Sequence, residues 1–113
     1  TATQAVLANA VVYFEYDKFN LTAKSIQALK GVSDLMARNS KITLSIEGHA
    51  DERGTREYNL ALGQRRAESV ANYLIANGVK RNRVIVKSYG EERPLVLGSN
   101  DSAWSKNRRV ELK

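Results

Sequence analysis

The sequence predicts an α+β domain: a sheet with helices packed on one face, in the order strand, helix, strand, helix, strand, strand. Three features predict it. Residues 11–16 are β-branched and aromatic, and residues 41–47 alternate polar with apolar, as strands do. Two segments of helical period follow those strands in turn. Strands separated by helices favour a sheet with helices laid on it, and right-handed crossovers put both helices on the same face. A length of 113 residues suits one domain with its own core.

Residues 1–10 carry no charge and little pattern, and read as a leader or the end of a linker; whether they pair with the sheet stays open. The first strand, residues 11–16, ends at Asp17-Lys18-Phe19-Asn20. Thr22 is placed to cap a helix on which Ile26, Leu29, Val32 and Met36 share a face, closed by Asn39-Ser40. Residues 41–47 form the second strand. Residues 48–55 form a loop bracketed by Gly48 and Gly54. The second helix runs from about Glu57 to Asn77, with a core stripe of Leu60, Gly63, Ala67, Val70 and Leu74 and an Asn77-Gly78 stop. Residues 83–89 read as a third strand and residues 91–102 as a loop holding the lone proline, Pro94. A helical turn over residues 102–106 and a closing strand at Val110-Glu111-Leu112 complete the chain.

Composition narrows the chemistry. The absence of Cys excludes disulfides, a thiol nucleophile and Cys-ligated metal. His49 is the sole His, so His49, Asp51 and Glu52 have no partner of the right kind to complete a transition-metal site. Neither do these carboxylates have calcium-loop spacing. No metal and no cofactor are expected. The longest weakly polar stretch, residues 5–14, is too short to span a bilayer, and no basic-then-apolar leader is visible. The net charge of +6 suits an anionic partner.

Carboxylate pairs such as Asp51 with Glu57, or Asp17 with Asp51, resemble a glycosidase pair only in kind, and such pairs are common in soluble domains. No nucleophile elbow accompanies the Ser, His and Asp residues. Arg53, Arg56, Arg65, Arg66, Arg108 and Arg109 form no nucleic-acid signature. The sequence therefore points away from an enzyme and from a nucleic-acid binder.

The most informative spacing lies between the glycine loop and the second helix. Asn59, Leu62 and Arg66 stack along one helical face, beside the core stripe. Asp51, at the end of a strand, can reach the first turns of that face. The result is an anion, an amide, a cation and an apolar floor around one small pocket. Such a pocket suits a zwitterion, with Asp51 taking an ammonium and Arg66 a carboxylate through paired hydrogen bonds. The same residues equally allow an Asp51–Arg66 salt bridge that only ties loop to helix.

The run Gly48-His49-Ala50-Asp51-Glu52-Arg53-Gly54-Thr55-Arg56-Glu57-Tyr58-Asn59 closely resembles the binding loop of the OmpA-like peptidoglycan-binding domain. So do Leu62, Arg65-Arg66-Ala67, Val70 and Tyr73-Leu74. Val12-Tyr13-Phe14 with Asp17-Lys18, Ser88-Tyr89-Gly90-Glu91 with Pro94, and residues 105–109 extend the resemblance over residues 11–113. The Asp-Glu-Arg-Gly wording is most like the peptidoglycan-associated lipoprotein (Pal) branch, rather than the porin-linked or flagellar stator branches.

The resemblance implies a mixed four-stranded sheet with helices on one side, and a noncovalent binder of the cell wall that grips meso-diaminopimelate of the peptide stem. Asp51 and Arg66 match the family's key pair, and Asn59 and Leu62 its supporting positions. Tyr16 and Asp17 match a contributing loop, and Arg109 a basic position of the closing motif. Replacing Asp51 or Arg66 by Ala is expected to remove most wall binding and leave the fold intact. The resemblance also implies a periplasmic setting, a lipidated N-terminal Cys and linker that these residues do not include, and the partner TolB of the Tol–Pal system, competing with the wall. The alternatives within the fold are the wall-binding domain of an OmpA-type porin, or a TolB-docking module without wall affinity.

Overall fold

The computed structural model describes residues 2–8 and 10–113. The strands are β1 (Val12–Tyr13), β2 (Leu44–His49), β3 (Val84–Gly90) and β4 (Arg109–Leu112). The helices are α1 (Ala2–Ala8), α2 (Ala23–Arg38), α3 (Arg56–Ala76) and α4 (Asp101–Asn107). The sheet order is β1-β4-β2-β3. β2 and β3 run parallel, and β4 lies antiparallel to both of its neighbours, β1 and β2. It follows that β1, β2 and β3 all point one way and β4 alone runs against them. The predicted class holds, and the expected elements come in the expected order, with the unexpected helix α1 ahead of them.

The helices form for local reasons. Thr22 caps α2 by accepting from the Ser25 N–H at 3.2 Å, as its position predicts. Thr55 does the same for α3, accepting from Tyr58 N–H at 3.1 Å, so that helix begins one residue earlier than its apolar pattern suggests. Asn100 caps α4 through the Ala103 N–H. Leu29, Val32 and Met36 of α2 meet Ala67, Val70 and Leu74 of α3 over Leu44 and Ile46 of β2 and Val110 and Leu112 of β4. Burying aliphatic side chains of this size contributes about 1.5–3 kcal/mol each.

Leu60 of the expected stripe is only half-buried. The buried side of α3 is wider than that stripe and includes Asn59, Leu62 and Arg66. Those three therefore face inward beside the core, where a polar group must find partners.

β1 is shorter than its sequence suggests. After one further hydrogen bond, from Phe14 N–H to the Arg108 carbonyl at 2.9 Å, the chain leaves the sheet. Asp17 then adopts φ +58, a left-handed conformation that Asp tolerates better than most residues and that reverses the backbone. The leader forms helix α1, with Val6 and Leu7 packed against the core.

Gly48 and Gly63 set the distance between β2 and α3. A Cβ at Gly48 would sit 1.8 Å from the Gly63 carbonyl oxygen, and a Cβ at Gly63 would sit 2.4 Å from Ser88 Oγ. Helix and strand touch backbone to backbone at this point. The same spacing of fifteen residues separates Asp51 from Arg66. The close contact thus positions the next pair up, at the end of the strand. Among the described residues no helix is long and apolar enough to cross a membrane.

Candidate functional site

Two loops leave the same end of the sheet because β1 and β2 are parallel. The loop after β1 (residues 14–19), the loop after β2 (residues 50–55) and the first turns of α3 enclose a small cleft. Tyr16, Asp17, Ala50, Asp51, Arg53, Gly54, Tyr58, Asn59, Leu62 and Arg66 line it. Six of the seven residues picked out from the sequence are brought together there.

Asp51 is 4% exposed. Its Oδ1 accepts from Arg53 N–H at 2.9 Å and Arg53 Nε at 3.2 Å, and its Oδ2 accepts from Arg53 Nη2 at 2.9 Å. Arg108 Nη1 stands 3.6 Å from Oδ2. Burial alone would raise the Asp51 pKa. The hydrogen bonds and charge of Arg53, helped by Arg108, overcome it and hold the carboxyl below the usual range. Asp51 is an anion at neutral pH.

Arg66 is fully buried. It forms no salt bridge with Asp51. Its Nε donates to the Lys18 carbonyl at 2.8 Å, Nη1 to the His49 carbonyl at 2.9 Å and Nη2 to the Glu15 carbonyl at 3.1 Å. One guanidinium therefore binds the first site loop and the end of β2 to α3. Burial, then the charge of Arg108, lowers its pKa to about 10, and Asp51 and Asp17 partly offset this. It remains charged at neutral pH.

Asn59 holds the second loop from inside. Its Nδ2 lies within 3.2 Å of the Asp51 carbonyl and 3.0 Å of both the Arg53 carbonyl and Glu91 Oε1. With that nitrogen committed, the amide oxygen is the group Asn59 has left to offer. Tyr58 donates its hydroxyl to Asp17 Oδ1 across the mouth of the cleft. Tyr16 and Tyr58 stand on its rim, both about half exposed. Leu62 supplies an apolar wall.

The structure does not bring Arg109 to the cleft. Along β4, Val110 and Leu112 enter the core, so alternation turns Arg109 and Glu111 to the opposite face. There Arg109 donates to Glu111 Oε2 through Nε at 2.8 Å, and to the Asn107 and Arg93 carbonyls. Its neighbour Arg108 takes the place near Asp51, anchored by Nε on the Phe14 carbonyl at 2.8 Å.

Arg53, Tyr58 and Arg108 complete the site beyond the residues read from the sequence. Arg53 carried a readable signal. It stands two residues after Asp51, where an Asp side chain commonly folds back on the backbone N–H. Arg108 gave no such signal, since choosing between Arg108 and Arg109 requires the register of β4.

The OmpA family model matches residues 13–108. The chain belongs to the OmpA family. This domain is 46% identical over 110 residues to a Pseudomonas putida protein named peptidoglycan-associated lipoprotein, covering 96% of this chain and 65% of that protein. It is 48% identical over 101 residues to the protein of the same name from Pasteurella multocida, covering 89% of this chain and 67% of that one. The chain thus spans about two thirds of the length of these relatives. The crystal structure of the peptidoglycan-associated lipoprotein from Burkholderia pseudomallei superposes on the domain with a TM-score of 0.91 at 37% identity, covering 95% of this chain and 91% of that one.

Proposed function

We propose that this domain binds peptidoglycan noncovalently, through the zwitterionic end of meso-diaminopimelate in the peptide stem, and thereby tethers the outer membrane to the wall. One observation carries the reading: a buried carboxylate, a tethered amide, guanidinium groups and an apolar wall meet in one small cleft. Asp51 and the Asn59 amide oxygen suit an ammonium, and the arginines suit a carboxylate. The names of the relatives support wall binding. The domain acts by binding, not by catalysis.

In this reading Asp17 and Tyr16 close one side, with Leu62 against the methylene chain. Arg66 acts chiefly by holding the first loop and the end of β2 in place, since three of its N–H groups are committed to backbone carbonyls. Arg109 has no part in the cleft. The setting is the periplasmic face of the outer membrane of a Gram-negative cell, reached through a lipid anchor ahead of the domain.

Calorimetric titration with two stem peptides, one carrying meso-diaminopimelate and one carrying lysine, tests the reading. Binding of the first alone is expected. Equal binding, or none, overturns it. The exposed aromatic rim of Tyr16, Phe19 and Tyr58 favours a protein partner at the same mouth. TolB is that partner in this reading, and free meso-diaminopimelate stem should displace it.

A further inference from the structure

The carboxylate assigned to the ligand's ammonium is already occupied by a cation of its own loop. Arg53 meets Asp51 fork to fork, with Nε on Oδ1 at 3.2 Å and Nη2 on Oδ2 at 2.9 Å. The guanidinium packs against two rings. Its carbon lies 4.0 Å from the centroid of Tyr16 and 4.1 Å from that of Trp104. Trp104 is in turn fixed by its Nε1–H on Glu52 Oε1 at 3.0 Å. The other carboxylate of the cleft, Asp17, accepts the Tyr58 hydroxyl. Asp51, the buried anion of the cleft, is thus already paired with a cation, whereas Asp17 meets a neutral hydroxyl.

Arg53 also differs from Arg66 in freedom. Its side chain is 30% exposed and, among the described residues, makes no hydrogen bond to a backbone carbonyl, whereas Arg66 is fully buried and makes three. Arg53 can swing while remaining on its aromatic shelf.

We propose that Arg53 stands on Asp51 in place of the ligand's ammonium, so that binding exchanges one cation for another and selects a zwitterion over a lone amine. This rests on the zwitterion reading of the cleft. A lone amine lifts Arg53 off Asp51 and leaves the guanidinium without an anion. A zwitterion brings a carboxylate that takes the freed guanidinium through the same paired geometry that Asp51 had used. Ammonium and carboxylate are then recognised together, and neither suffices alone. Arg53 is thus a specificity-determining residue, and discrimination against lysine is built into the ligand-free state.

The test is titration of wild-type protein and Arg53→Gln with the meso-diaminopimelate and lysine stems. In wild type the meso-diaminopimelate stem is expected to bind preferentially. In Arg53→Gln the affinity for the lysine stem should rise about tenfold, one charge-assisted hydrogen bond's worth, and the discrimination ratio should fall with it. Lysine-stem affinity unchanged from wild type in a folded Arg53→Gln overturns the exchange. A second measurement needs no variant: the Arg53 Nε–H resonance of wild type should move on saturation with the meso-diaminopimelate stem. A resonance that keeps its ligand-free shift at saturation also overturns the exchange. Wild type that binds both stems equally, or neither, overturns the zwitterion reading itself, and the exchange with it.

Discussion

Arg66 Nε donates to the carbonyl oxygen of Lys18 at 2.8 Å, joining the third turn of the long helix to a loop forty-eight residues away in sequence. The same guanidinium holds Glu15 and His49. An arginine that spacing alone presents as a ligand group is therefore also a structural one. Its buried charge is satisfied by dipoles rather than by an anion, which is why Asp51 is left to Arg53 and Arg108.

Arg66→Ala should destabilise the domain by about 3–5 kcal/mol, because a buried charged donor is lost and three carbonyls are orphaned. This departs from the expectation that the fold survives the change intact. Urea denaturation checks it; a midpoint equal to wild type would refute the bracing role.

Asp51→Asn keeps the size and the acceptor for Arg53 N–H but removes the charge. Wall binding should fall about tenfold to a hundredfold, the value of one or two charge-assisted contacts. Cosedimentation with purified peptidoglycan measures it, with circular dichroism to show that the fold is retained.

Gly48→Ala should be among the most damaging small changes. The added methyl would overlap the Gly63 carbonyl, and neither backbone can retreat without separating β2 from α3. The cost should be about 3 kcal/mol or more, the upper range for overpacking, and should appear as a large drop in Tm. Gly31→Ala is the control, since nothing lies within 4 Å of its added methyl. In mid-helix it should stabilise by about 0.5–1 kcal/mol.

His49 should dominate the pH dependence of stability in the mildly acid range. Its pKa is lowered to about 4, first by burial and then by the nearby charge of Arg109, while Glu111 and Glu47 pull the other way. In the unfolded chain it titrates near 6.5. The unfolded state therefore binds the proton first. The stabilising effect is full above about pH 6.5 and is lost as pH falls toward about 4, with a limiting slope of about 1.4 kcal/mol per pH unit. Below that, the lowered carboxyls of Asp51 and Glu111 extend the loss. His49→Gln should flatten the curve between pH 6.5 and 5, as read by denaturation at a series of pH values.

Much of this molecule is legible in its sequence. Alternation in residues 41–47 and the three- and four-residue steps of the helices depend only on side-chain direction along one element, so the strands, the helices and their core faces are local properties. Thr22 and the site run from Asp51 to Arg66 are local too. A strand end, a loop and the first turns of one helix lie within a few residues of each other, so their side chains meet almost wherever the rest of the chain goes.

Pairing across the chain is a different matter. That β4 inserts between β1 and β2 follows from no local pattern, and it decides that Arg108 stands near Asp51 while Arg109 turns away to Glu111. The early end of β1 depends on Arg66 capturing the Glu15 and Lys18 carbonyls. The partner of Asp51 depends on where Tyr16 and Trp104 arrive to shelve Arg53. A sequence shows which groups carry charge and hydrogen-bonding capacity. How each buried charge is satisfied is decided by the backbone dipoles and rings brought to it from distant positions, and only the folded chain supplies them.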